Sequence, residues 1–123
     1  MSENSKKSTE SAVTGALHML GVSANIKGYF YLRTAILLAV EKTNEMSAVT
    51  KTLYPAVAKS HGTSPACVER SMRHAISVAW ERGDIDTLAL YFGNTIKNGR
   101  GKPTNSEFIF MVAERLSMHL DLQ

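Results

Sequence analysis

The residues most able to do chemistry together lie between Lys51 and Arg82, where Arg70, Arg73 and His74 recur within one helical turn and a half. With 3.6 residues per turn and Val68 at the origin, Met72, Ala75, Ile76 and Ala79 cluster on one side. Arg70, Arg73, His74 and Ser77 point the opposite way. An apolar stripe of that kind holds a helix against a core and leaves a cationic stripe for an anionic partner. Ser64 is placed to cap this helix and Pro65 to open it, because proline's missing N–H falls where a donor would be orphaned anyway. The preceding His61-Gly62-Thr63 reads as a tight turn after a shorter helix, so the layout is that of a helix-turn-helix with its recognition helix over Ser64–Arg82. Lys51, Lys59 and His61 gather around the front helix and turn, where such motifs touch phosphates. A polar outer face is also what any solvated helix presents, so spacing alone leaves both readings open.

Other chemistries fail on spacing. His18, His61, His74 and His119 lie far apart with no H-x₃-H pair, and Cys67 has no cysteine partner, so no metal site is expected. Gly99-Arg100-Gly101-Lys102 lacks the glycine that a phosphate loop needs five residues before Gly101, since Ile96 stands there. Its cations, with Lys97, are either solvated or contacts to a nucleic-acid backbone. No catalytic constellation, and no cofactor, is expected.

The elements that must position the cationic face follow from periodicity. One domain is expected from 123 residues, and 44% hydrophobic with 20% charged residues is ordinary for a globular chain. The net charge of +3 equals the local excess of five Lys/Arg over two acids between Lys51 and Arg82. A single cysteine permits no internal disulfide, which suits a reducing cytoplasm, and no stretch is long and apolar enough for a membrane. Residues 1–11 (MSENSKKSTES) are polar and expected to form a flexible tail or linker remnant, with residues 12–123 as the folded domain. Val13, Ala16, Leu17 and Leu20 predict a first helix stopped by Gly21. Asn25 can cap a second, Ile26 to about Lys42, apolar over so much of its surface that it must be central; its Tyr29-Phe30-Tyr31 is read as packing rather than as a stacking platform.

A short segment from Met46 leads to Pro55, which should open the first helix of the motif. After Gly83, Asp84 caps a short helix, Ile85–Phe92, closed by Gly93. Thr104-x-x-Glu107 is a capping box for a final helix reaching about Leu120. The expected fold is all-α, about six helices around the helix-turn-helix.

Four stretches carry a resemblance: IKGYFYLRTAI (26–36), TKTLYPAVAK (50–59), VERSMRHAISVAWERGDID (68–86) and KPTNSEF (102–108). Through them the chain resembles the C-terminal DNA-binding effector domain of the response regulator that initiates sporulation in endospore-forming bacteria. The resemblance implies a six-helix domain that binds double-stranded DNA at a box with a TGTCGAA-like core. Tandem copies would sit on adjacent boxes, activating some promoters and repressing others.

Carried over by position, Cys67, Glu69 and Arg70 fall on base-reading positions, and Arg73 and His74 continue the face toward the backbone, where Lys51, Lys59, His61, Lys97, Arg100 and Lys102 would add phosphate contacts. The following helix, with Asp84, Thr87 and Phe92, would approach the RNA polymerase sigma factor. One departure falls at Cys67, where the family usually carries an arginine of the reading set. The other is the absence of a receiver domain's acidic pocket, phosphoacceptor aspartate and lysine, as expected of an excised effector domain or a stand-alone relative. The rival expectation is a helical adaptor that keeps the fold with weakened DNA binding.

Overall fold

The computed structural model describes residues 3–41, 46–97 and 101–121. Six helices occupy the described residues, with no strand among them. They are α1 (Glu3–Met19), α2 (Gly28–Glu41), α3 (Met46–His61), α4 (Pro65–Arg82), α5 (Ile85–Lys97) and α6 (Asn105–Asp121). The all-α expectation holds.

α2 is the hub, packed against α1, α3, α4 and α6. Tyr29, Tyr31, Leu32, Ala35, Ile36 and Ala39 are all buried on it, the breadth of apolar surface that several neighbours demand. Phe30, 47% exposed, stands edge-on to Tyr29. Gly28 at the head of α2 faces the Ser71 carbonyl of α4 so closely that a β-carbon there would collide with it. Only a residue without a side chain lets the hub helix lie this close to α4.

Three local expectations are corrected. Helix α1 begins at Glu3, ahead of the start expected near Val13, so residues 3–11 are helical turns. A helix anchored by buried Val13, Ala16 and Leu17 extends backwards one hydrogen bond per residue, which offsets the modest helix penalties of Ser, Asn and Thr. Asn25 does not cap α2, which starts at Gly28; its carboxamide oxygen accepts from the Ser23 hydroxyl inside the α1–α2 turn.

Pro55 lies inside α3 instead of opening it. Buried Leu53, Val57 and Ala58 anchor the helix on either side of it, and Pro55 itself is exposed, where water can meet the carbonyl it leaves without a donor. The expected end of a helix at Phe92 is present as a kink, beyond which a second helical stretch of α5 runs on to Lys97. The backbone leaves helical geometry at Phe92 (φ −127°, ψ 27°), the residue whose ring is gripped by Trp80 and Phe108.

The capping box is realised in both directions. Thr104 Oγ1 accepts from Glu107 N at 3.2 Å, and Glu107 Oε1 accepts from Thr104 N at 2.9 Å. Asp84 Oδ2 likewise accepts from both the amide and the hydroxyl of Thr87, each at 3.0 Å.

Candidate nucleic-acid interface

Helix α4 is built as its residues require. Ser64 has extended backbone (φ −93°, ψ 152°) and its hydroxyl accepts from Cys67 N at 3.1 Å, with Pro65 at the start of the helix. Val68, Met72, Ala75, Ile76 and Ala79 are buried, the five positions of the apolar stripe. Gly62, at φ +64°, makes the turn from α3 in a conformation that favours glycine. The buried stripe leaves Arg70, Arg73 and His74 exposed on the far side, so their guanidinium and imidazole groups face solvent together.

Tertiary structure adds a cation from 25 residues away. Lys102 Nζ donates to Ser77 Oγ at 2.6 Å, and Ser77 Oγ donates to the Arg73 carbonyl at 3.0 Å. The segment leading into α6 therefore lies along α4, and its ammonium extends the positive face. Between them is a cleft of about 340 Å³ bordered by Tyr54, Glu69, Arg73, Lys102 and Asn105.

Glu69 is half-buried and its carboxylate is held by Arg73 Nη2 at 2.8 Å. Lys59 is exposed near the end of α3. His61 is turned toward α2, with Nε2 at 2.8 Å from Thr34 Oγ1 and its ring edge-on to Tyr31. Both contacts fix the turn onto the hub helix and leave His61 less free for a phosphate than its position in the turn suggested. Lys51 lies in α3 and Lys97 ends α5, but their side chains are outside the described residues, as is Arg100.

Cys67 sits in the first turn of α4, partly exposed. Donation from Thr63 and then Lys27, with a smaller share from Ser71, outweighs its partial desolvation and brings the thiol from 9.0 down to about 7. Lys27 was not singled out from sequence; it lies in the turn before α2, with no periodicity to mark it. Asn105 was missed for a similar reason. It follows a capping threonine, where side chains ordinarily face solvent, yet it is a buried polar residue bonded to both α3 and α4.

The three residues expected on the activating surface separate. Asp84 is exposed and occupied in its cap, and Thr87 is half-buried beside it. Phe92 is 0% exposed, its ring stacked on Phe108 at 5.3 Å and inclined to Trp80 at 5.4 Å. Phe92 therefore belongs to the core and is withdrawn as a partner contact. Among the described residues of α5, the large apolar side chains exposed are Ile85 and Leu90, at 75% and 55%.

No group of His, Cys, Asp and Glu among the described residues could hold a metal ion. None of the helices there is long and apolar enough to cross a membrane. Residues 13–116 match the protein family described as the sporulation initiation factor Spo0A C terminal.

Proposed function

Since the chain belongs to the Spo0A C-terminal sporulation initiation factor family, and so to a family of DNA-binding transcription factor domains, we propose that it is a sequence-specific reader of double-stranded DNA that lays α4 in the major groove of a TGTCGAA-like box. The observation that carries this reading is the arrangement of α4: five buried apolar positions on one side, and exposed Arg70, Arg73 and His74 on the other. Arginine's planar fork fits guanine O6 and N7, and a carboxylate such as that of Glu69 accepts from cytosine N4. Lys59 and Lys102 supply charge to the phosphates on either side.

In this reading the chain is the effector half of a phosphorelay response regulator acting in the cytoplasm. Tandem copies occupy adjacent boxes, activating or repressing sporulation promoters, and the outer face of α5 meets the RNA polymerase sigma factor. Exposed Ile85 and Leu90 support a protein contact on α5. They equally suit the second reading, a helical adaptor with weakened DNA binding.

Binding to a box-containing and a scrambled duplex, at two salt concentrations, separates the two. The proposed function requires a preference for the box and a steep fall of affinity with salt, because each phosphate contact releases counterions. Weak binding that is indifferent to sequence leaves the adaptor reading.

A further inference from the structure

Asn105 is 8% exposed, a buried side chain with polar atoms in a core otherwise made of apolar residues. Its carboxamide nitrogen donates to the Glu69 carbonyl at 3.0 Å and to the Tyr54 hydroxyl at 3.2 Å. Three helices meet at this one group: α6 through Asn105 itself, α4 through Glu69 and α3 through Tyr54. The carbonyl it contacts belongs to the first turns of α4, between Cys67 and Arg70. Lys102 grips the same helix two turns further on, through Ser77 and the Arg73 carbonyl. Segment 102–105 thus fastens to α4 at two points, Glu69 and Ser77, eight residues apart on one row.

We infer that Asn105 is a positioning residue for sequence reading: by holding the Glu69 backbone against α3 and α6, it sets the depth and roll at which α4 presents Glu69 and Arg70. This rests on the proposed DNA reading. The physical reason is that a buried amide with both N–H donors used fixes direction as well as distance, whereas apolar contacts allow a helix to slide and roll. Phosphate contacts through long Lys and Arg side chains tolerate a shift of that kind. Bidentate contacts to a base edge do not. Loss of Asn105 therefore acts on discrimination before it acts on binding in general.

Asn105→Asp is the informative substitution. The shape is kept, and an acidic residue at the first position of a helix suits the helix dipole, so α6 itself is not weakened. A carboxylate has no donor to offer, and it faces the Glu69 carbonyl with charge instead of a proton. The full chain and its variants are titrated with box and scrambled duplexes, and melting is followed by circular dichroism. Asn105→Asp is expected to lower the box-to-scrambled affinity ratio roughly tenfold, within the range of one misplaced base contact, while binding to scrambled DNA stays near that of the wild type. Tyr54→Phe, which removes the second acceptor but leaves the bond to Glu69, is expected to lower the ratio less than Asn105→Asp does.

If Asn105→Asp melts below the assay temperature, Asn105→Ser, with a shorter polar group, is measured for the same ratio. An unchanged ratio in the folded variant, with both affinities falling in step with stability, overturns the inference and leaves Asn105 as a packing residue. A wild type that shows no box preference at all overturns the DNA reading itself, a different and separately visible failure.

Discussion

Arg73 reaches back one turn along α4 to hold the Glu69 carboxylate at 2.8 Å, with the two side chains 57% and 37% exposed. The pair restrains an acid on a surface proposed to meet phosphates, where a free carboxylate would repel the backbone. An exposed pair at this spacing contributes only about 0.3–0.5 kcal/mol to stability. Arg73→Ala is therefore expected to leave the melting temperature nearly unchanged. Affinity for box and scrambled duplexes should fall together, and the slope of log K against log salt should flatten by about 0.9, the loss of one phosphate contact. A large drop in melting temperature would reassign Arg73 to the fold.

Arg70 differs because, among the described residues, none engages its side chain, and it is exposed on the outer face. Arg70→Ala should cost about 1–3 kcal/mol on the box and much less on scrambled DNA. Equal losses on both duplexes would reduce its role to a phosphate contact.

The buried ring of Phe92 gives a prediction opposite to that of a surface contact. Phe92→Ala should destabilise the domain by about 3–5 kcal/mol, as emptying a packed aromatic site does. Ile85→Ser, at a 75% exposed position, should leave the melting temperature and DNA affinity alone and reduce activated transcription in a reconstituted assay. Retention of full activation by Ile85→Ser would remove that end of α5 from the proposed contact.

Cys67 yields a pH dependence with a definite sign. Its thiol is an acid whose folded value is lowered from 9.0 to about 7, first by Thr63 and then by Lys27. The thiolate is thus favoured by the fold. Its contribution to stability is complete above about pH 9, declines as the pH falls and is gone below about pH 7. Alkylation of the folded chain by iodoacetamide should rise with a midpoint near pH 7. A midpoint near 9 would mean that Thr63 and Lys27 do not engage the sulfur in solution. Cys67→Ser should remove the rise in stability between the two values.

Cys67→Arg tests where the first turn of α4 lies. An arginine reaching a guanine edge should tighten box binding by about 1–3 kcal/mol and sharpen selectivity at one base pair. Lys27, a like charge beside this position, would steer the new guanidinium away from α2 and outward. A gain of equal size on every duplex, including boxes with each G·C pair replaced in turn, would show that position 67 does not face a base.

Much of the candidate site was legible in one dimension. The period of Val68, Met72, Ala75, Ile76 and Ala79 determined which side of α4 is buried, and with it that Arg70, Arg73 and His74 face out. Ser64, Asp84 and Thr104 determined three helix starts, because a cap depends on groups two or three residues away. Signals of this kind are local, so sequence order carries them.

What only the tertiary structure decided depends on groups far apart in the chain. Packing of Leu53, Val57 and Ala58 carried α3 through Pro55. The ring stack of Phe92 on Phe108 decided between core and partner contact, where a phenylalanine before a helix-ending glycine already inclined toward the core. The missing side chain of Gly28 matters only because α4 passes over it. Lys102 reaches α4 across 25 positions, and Asn105 reaches Glu69 across 36. A hydrogen bond at that separation leaves no periodic trace in the sequence, because its partners become neighbours only after α2 has gathered the other helices around it.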